Sequence, residues 1–160
     1  MTYTIQEICP EFDHAICEII KKTGREYGAI GEGFGPSDAE VLNMSRHYNR
    51  LNKSQYLIAI MDDRVIGGCG IASFKGSDDV CELRKLFLLP ESRGLGIGKE
   101  LTQWCLAFAL SQGYKQCYLD TLSSMKSAIA LYEKLGFRHL DKPFDGTIHG
   151  GCDVWMIKEL

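Results

Sequence analysis

Apolar positions change their spacing several times along the chain, and each change marks an element. Residues 3–8 alternate between polar and apolar as a half-buried strand does, and 11–22 then place Phe12, Ile16, Ile19 and Ile20 at helical intervals. A glycine-rich stretch over 24–36 separates that helix from a second one expected over 39–51. The run YLIAIMDDRVIGGCGIASF predicts a hairpin, with strands 56–61 and 65–74 flanking a turn at Asp62, Asp63 and Arg64, and a further strand follows at 79–88. A helix over about 96–111 turns Ile97, Leu101, Trp104, Cys105 and Phe108 to one side and stops at Gly113. Strand 115–120 comes next. Ser123 or Ser124 then caps a helix over 125–135 that ends at Gly136, and short strands at 137–140 and 153–157 close the chain. The order βααβββαβαββ, with no internal repeat or linker, predicts one α/β domain over 1–160 with helices packed on a mixed sheet.

Composition narrows the classes of function. A chain of 160 residues with 45% hydrophobic and 24% charged residues is ordinary for a single soluble domain, and a net charge of -3 gives no footing for nucleic acid. Glu7, Glu11 and Asp13 interrupt the first apolar residues, so neither a secretory signal nor a membrane span is expected and the protein is placed in the cytoplasm. The seven cysteines contain no CxxC and mostly fall within apolar runs, as reduced core thiols do. His149 and Cys152 form a close His/Cys pair. Two ligands do not make a zinc site, so no metal is expected and His149 reads as a satisfied loop histidine.

Candidate chemistry concentrates in RGLGIGKEL, where three alternating glycines lead into a helix. Glycines leave backbone amides open to an approaching anion, and a helix start adds the positive end of its dipole. Arg93, Gly94, Leu95, Gly96, Ile97, Gly98 and Lys99 therefore read as a phosphate cradle. A Walker loop would need a glycine where Arg93 stands and Ser or Thr where Glu100 stands. A dinucleotide fingerprint would need two free positions between its last glycines, whereas Gly94, Gly96 and Gly98 are evenly spaced.

ELRKLFLLPESRGLGIGKEL followed by LYEKLGF resembles the GNAT acyl-CoA N-acyltransferases, most sharply over 82–137. The family's loop pattern is met by Arg93, Gly96 and Gly98. The resemblance implies that the loop takes the pyrophosphate of acetyl-CoA. It also implies that strand 79–88 splays from its parallel neighbour 115–120, leaving backbone groups near Phe87 and Leu88 for the pantetheine chain. Tyr132 stands where family members often place the general acid for the departing thiolate; its other reading is a tyrosine that packs. Glu82 stands where a carboxylate serves some members as general base; its other reading is a partner for Arg84 or Lys85. Asp120 is a further base or substrate ligand. Many relatives carry Asn where this chain has Met125, and Ser123 or Ser124 is the stand-in for that contact to the cofactor.

These residues imply transfer of an acetyl group to an amine in a ternary complex, with a non-catalytic acyl-CoA-binding domain as the rival. Segments 24–51 and 141–152 are expected to line the acceptor side, with Glu32, Phe34 and Phe144 as its leading side chains and Asp38 beside them. The acceptor is a small molecule or peptide amine, and a homodimer is compatible with this reading.

Overall fold

The protein was described as a computed structural model covering residues 2–160. Seven strands form one sheet: β1 (Thr4–Glu7), β2 (Gln55–Met61), β3 (Arg64–Ser73), β4 (Val80–Leu88), β5 (Gln116–Thr121), β6 (Arg138–Leu140) and β7 (Val154–Glu159). Their order across the sheet is β1-β2-β3-β4-β5-β7-β6, and β4 with β5 is the parallel pair. Three α-helices cover it: α1 (Asp13–Glu26), α2 (Ile97–Ser111) and α3 (Lys126–Lys134).

Side-chain alternation explains why both faces of the sheet need a cover. Along β2, Leu57, Ala59 and Met61 pack with Leu101 and Cys105 of α2, while Tyr56 and Ile58 pack with Ile16, Ile19 and Ile20 of α1. Each such aliphatic side chain, fully withdrawn from water, contributes roughly 1.5–3 kcal/mol. All seven cysteines are free; five are buried, and Cys9 and Cys152 are partly exposed.

Two local expectations change. Residues 39–51 form short 3-10 turns, Ala39–Arg46 and Arg50–Asn52, in place of an α-helix. Asp13 takes the amide and hydroxyl of Ser45 at 2.8 and 2.6 Å, and Asn43 leaves helical geometry at φ -153°, ψ 64°. Neither Ser123 nor Ser124 caps α3: Ser123 donates to Asp153, and the Ser124 hydroxyl donates to the Tyr27 carbonyl at 2.8 Å.

The feature that positions the site is the early end of the parallel ladder. Val80, Cys81 and Glu82 pair with Gln116, Cys117 and Tyr118, and there the pairing stops although both strands continue. On the other side of β4, Gly68 opposes Phe87 and Gly70 opposes Arg84, so β4 carries one extra residue. That bulge holds Lys85 at φ 53° and bends β4 away from β5. The gap between the strands opens into two cavities.

Candidate active site

The first cavity lies over the glycine loop and is lined by Thr23, Tyr27, Leu86, Phe87, Leu88, Arg93, Gly94, Gly96, Ile97, Gly98, Lys99, Met125, Ser127, Ala128 and Leu131. Gly94 and Gly96 sit at φ 79° and 81°, a left-handed region that explains why the loop uses glycine there. The amides from Gly94 to Lys99 find no protein acceptor among the described residues; the first bonded one is Glu100, which donates to the Gly96 carbonyl at 3.1 Å. The Thr23 hydroxyl, in a residue 2% exposed, is also without a partner on the cavity's opposite wall. Free amides at a helix start and an orphaned hydroxyl fit a phosphate-bearing ligand.

Arg93 is engaged within the protein. Its guanidinium donates to the Leu88 carbonyl at 3.2 and 3.0 Å and to both Glu26 carboxylate oxygens at 2.6 and 2.8 Å, and it lies over the Tyr27 ring. Of the backbone groups near Phe87 and Leu88, the Leu88 carbonyl is thus occupied by Arg93. Leu95 is exposed and Ser124 is turned to Tyr27, and neither lines the cavity.

The second cavity holds the ionisable groups. Its lining includes Phe34, Glu82, Lys85, Asp120, Met125, Tyr132, His149 and Cys152. Glu82 points in from β4 just where the parallel ladder ends, accepts from Arg84 Nε at 2.7 Å and is 6% exposed at its side chain. Burial raises its pKa above the ordinary carboxylate value, with the neighbouring Asp120 adding to the shift and Arg84 opposing it. Both sequence readings of Glu82 coexist, since it pairs with Arg84 and also faces the cavity.

Asp120, from the end of β5, accepts from His149 Nδ1 at 2.8 Å and from the hydroxyls of Tyr118 and Thr147. His149 Nε2 donates to Asp38 at 2.8 Å, and Asp38 also takes Lys85 Nζ at 2.8 Å. Lys85 and Arg84 share Glu40 as well. The Tyr132 ring packs on Phe137, while its hydroxyl makes no hydrogen bond within the described residues. Burial pushes that phenol well above its ordinary value, so it stays protonated.

Phe34 lines the second cavity, its ring lying where a Cβ on Gly151 would come within 2.4 Å. Glu32 is exposed and outside the lining. Phe144 stacks on Tyr118 in an aromatic cluster with Phe74, away from the lining. Sequence reading did not assign Lys85, Arg84 or Glu40 to the site, and it left His149 as a satisfied loop residue. The signals for that network were Asp120, Asp38 beside the glycine-rich segment, and the pairing of Glu82 with Arg84 or Lys85.

The sequence model of the Acetyltransferase (GNAT) family matches residues 16–137. The chain is 38% identical over 148 residues to an uncharacterised N-acetyltransferase of Escherichia coli K12, YjgM, covering 91% of this chain and 88% of that one. Its fold superimposes with a TM-score of 0.86 on a GNAT-family acetyltransferase of Staphylococcus aureus Mu50, at 21% identity and 99% coverage of both chains. A phosphinothricin acetyltransferase of Sinorhizobium meliloti, solved in complex with acetyl-CoA, gives a TM-score of 0.79 at 25% identity, with 100% of this chain and 89% of that one covered. With its parallel pair parted at Glu82 and a glycine loop opening α2, the chain belongs to the GNAT family of N-acetyltransferases.

Proposed function

We propose that the protein transfers an acetyl group from acetyl-CoA to a primary amine by direct attack in a ternary complex. The observation that supports this most is that the two cavities share Leu86, Phe87 and Met125 as a common border. A thioester held over the glycine loop and an amine held beside Glu82 would meet there.

Acetyl-CoA, when bound, supplies an activated acyl group. Gly94 to Lys99 would take its pyrophosphate through free amides, with Thr23 satisfying a second polar contact. Lys99 adds a cation near the helix start, while Arg93 fixes the loop to β4 and α1. Beyond the border, the ionised residues number four carboxylates, Asp38, Glu40, Glu82 and Asp120, against Arg84, Lys85 and the His149 imidazolium. Counted with Asp38 and Glu40, which stand behind the lining, this network carries one net negative charge, and that suits a cationic amine.

Glu82 then accepts the proton that the bound ammonium must lose to expose its lone pair, its raised pKa placing it closer to neutrality than an ordinary carboxylate; the second proton, released from nitrogen as the amide forms, balances the one given to sulfur. Tyr132 donates from its hydroxyl to the departing sulfur; burial keeps the phenol protonated beforehand, while the same shift makes it a weaker acid, so the proton passes as negative charge develops on sulfur. An amine panel with detection of released thiol tests the reading. Turnover of any amine supports it; tight coenzyme A binding without turnover across the panel would leave only an acyl-CoA-binding domain.

A further inference from the structure

His149 is a buried ionisable group to which the transfer reaction gives no task. It lies in the connection over 141–153, between β6 and β7, and its side chain is 8% exposed. Both ring nitrogens face carboxylates: Nδ1 meets Asp120 at 2.8 Å and Nε2 meets Asp38 at 2.8 Å. Glu82 lies 3.7 Å from Nδ1, Lys85 reaches the same Asp38 oxygen, and Thr147 bonds both Asp120 and the His149 amide. An ionised carboxylate only accepts, so a ring bonded to two of them carries both protons. Burial pushes the imidazole down, but the hydrogen bonds to Asp120 and Asp38 outweigh it and hold the group up at about 10. Near neutral pH it is a fixed cation and no base.

The same connection is joined to the segment after α1 twice more. The Gly151 amide donates to the Gly33 carbonyl at 2.9 Å, and the Phe34 ring covers Gly151. Three contacts thus cluster where two otherwise irregular segments meet above Glu82. His149 is the only one of the three that also reaches the sheet, through Asp120 on β5.

We propose that His149 is a positioning residue of the acceptor site, a cationic cross-link that ties the end of β5 to the segment after α1 and so sets the shape of the pocket in front of Glu82. The inference rests on reading that pocket as the acceptor site. Through this tie Asp38 and Asp120 are committed to the imidazolium, and Glu82 is the carboxylate left facing the amine.

The test uses the full chain and His149→Gln, with the best-used amine of the panel as acceptor probe. The acceptor KM should rise about tenfold or more, with kcat and coenzyme A affinity within about threefold of wild type, because positioning and not chemistry is lost. Independently of any acceptor, hydrogen exchange in peptides spanning 28–38 and 147–153 should accelerate about tenfold while α2 is unchanged. Asp120→Asn added to His149→Gln should restore part of the acceptor affinity, since Asp120 would otherwise keep no cationic partner, whereas Asp38 retains Lys85 at 2.8 Å. Unchanged acceptor KM and unchanged exchange would overturn the proposal. If His149→Gln does not fold, nitrogen NMR of the wild-type ring decides: a doubly protonated ring at about pH 8 supports the cross-link and a neutral one overturns it. Phe34→Ala separates the two levels. If it weakens acceptor binding while His149→Gln does not, the cross-link alone fails; if Phe34→Ala, Glu82→Gln and His149→Gln all leave acceptor kinetics untouched, the pocket is not the acceptor site.

Discussion

Arg93 and Glu26 form a two-pronged ion pair that ties the glycine loop to the end of α1, at 2.6 and 2.8 Å. The pair is about one-third exposed, so it contributes no more than about 1 kcal/mol to folding. Its value lies in placing the loop. Arg93→Lys cannot reproduce the fork and the bonds to Leu88 together, and should weaken coenzyme A by about tenfold while the melting temperature moves only slightly. Titration calorimetry with coenzyme A measures this, and unchanged affinity would mean that the loop holds its shape without the fork.

Gly98 offers a cleaner probe of the cradle than Gly96. A side chain at Gly96 meets open space but must adopt φ 81°, so strain and lost binding would be mixed. At Gly98 a new Cβ lies 3.3 Å from a flexible Leu88 methyl and 3.9 Å from Leu131, both lining the cavity over the glycine loop. Gly98→Val should therefore abolish detectable coenzyme A binding with far-ultraviolet circular dichroism unchanged. Retained affinity would contradict the cradle.

Tyr132→Phe keeps the ring against Phe137 and removes only an unbonded hydroxyl. Turnover should fall about 100-fold with little change in acetyl-CoA affinity, the signature of a group used in the transition state. A loss of only a few-fold, in steady-state assays across pH, would make Tyr132 a packing residue.

The rate should depend on Glu82 in one direction. Because burial raises its pKa, the ionised base accumulates as pH rises through a value above the ordinary carboxylate range, and kcat/KM should climb over that interval. Glu82→Gln should lower kcat/KM by about 100-fold and abolish this acidic limb. A limb unaltered in the variant would assign the base elsewhere.

Stability carries a separate pH signature from His149. Its folded-state pKa, about 10, lies above the unfolded value of about 6.5, so its contribution is complete below about pH 6.5 and is lost as pH rises through 10. The melting temperature of wild type minus that of His149→Gln should accordingly shrink between those values. A difference that is constant with pH would show that the ring is not bound as a cation.

Legibility in the sequence followed locality. The strands and the three α-helices announced themselves because their apolar spacing is set within a few residues. The 3-10 turns over 39–46 did not, because Ser45 is captured by Asp13, 32 positions away. The glycine loop was visible as a contiguous motif, and Glu82 and Tyr132 were visible beside it through the family resemblance. His149 carries no such mark: its two partners lie 29 and 111 positions distant, and only the closed sheet brings them together. Arg93 shows the converse limit, since a cation beside a phosphate loop gives no hint that Glu26 already holds it.

The joint between Gly33 and Gly151 bears on how the pocket in front of Glu82 could be reshaped. The two irregular segments reach one another from opposite ends of the chain, through a main-chain bond and a ring that would have to shift to admit a side chain at Gly151. A graft of either segment alone from a relative would bring half of a fitted hinge and leave the other half mismatched. Residues 27–38 and 147–153 should therefore be exchanged as a pair, and a chimera carrying both should keep its fold where each single graft loosens it.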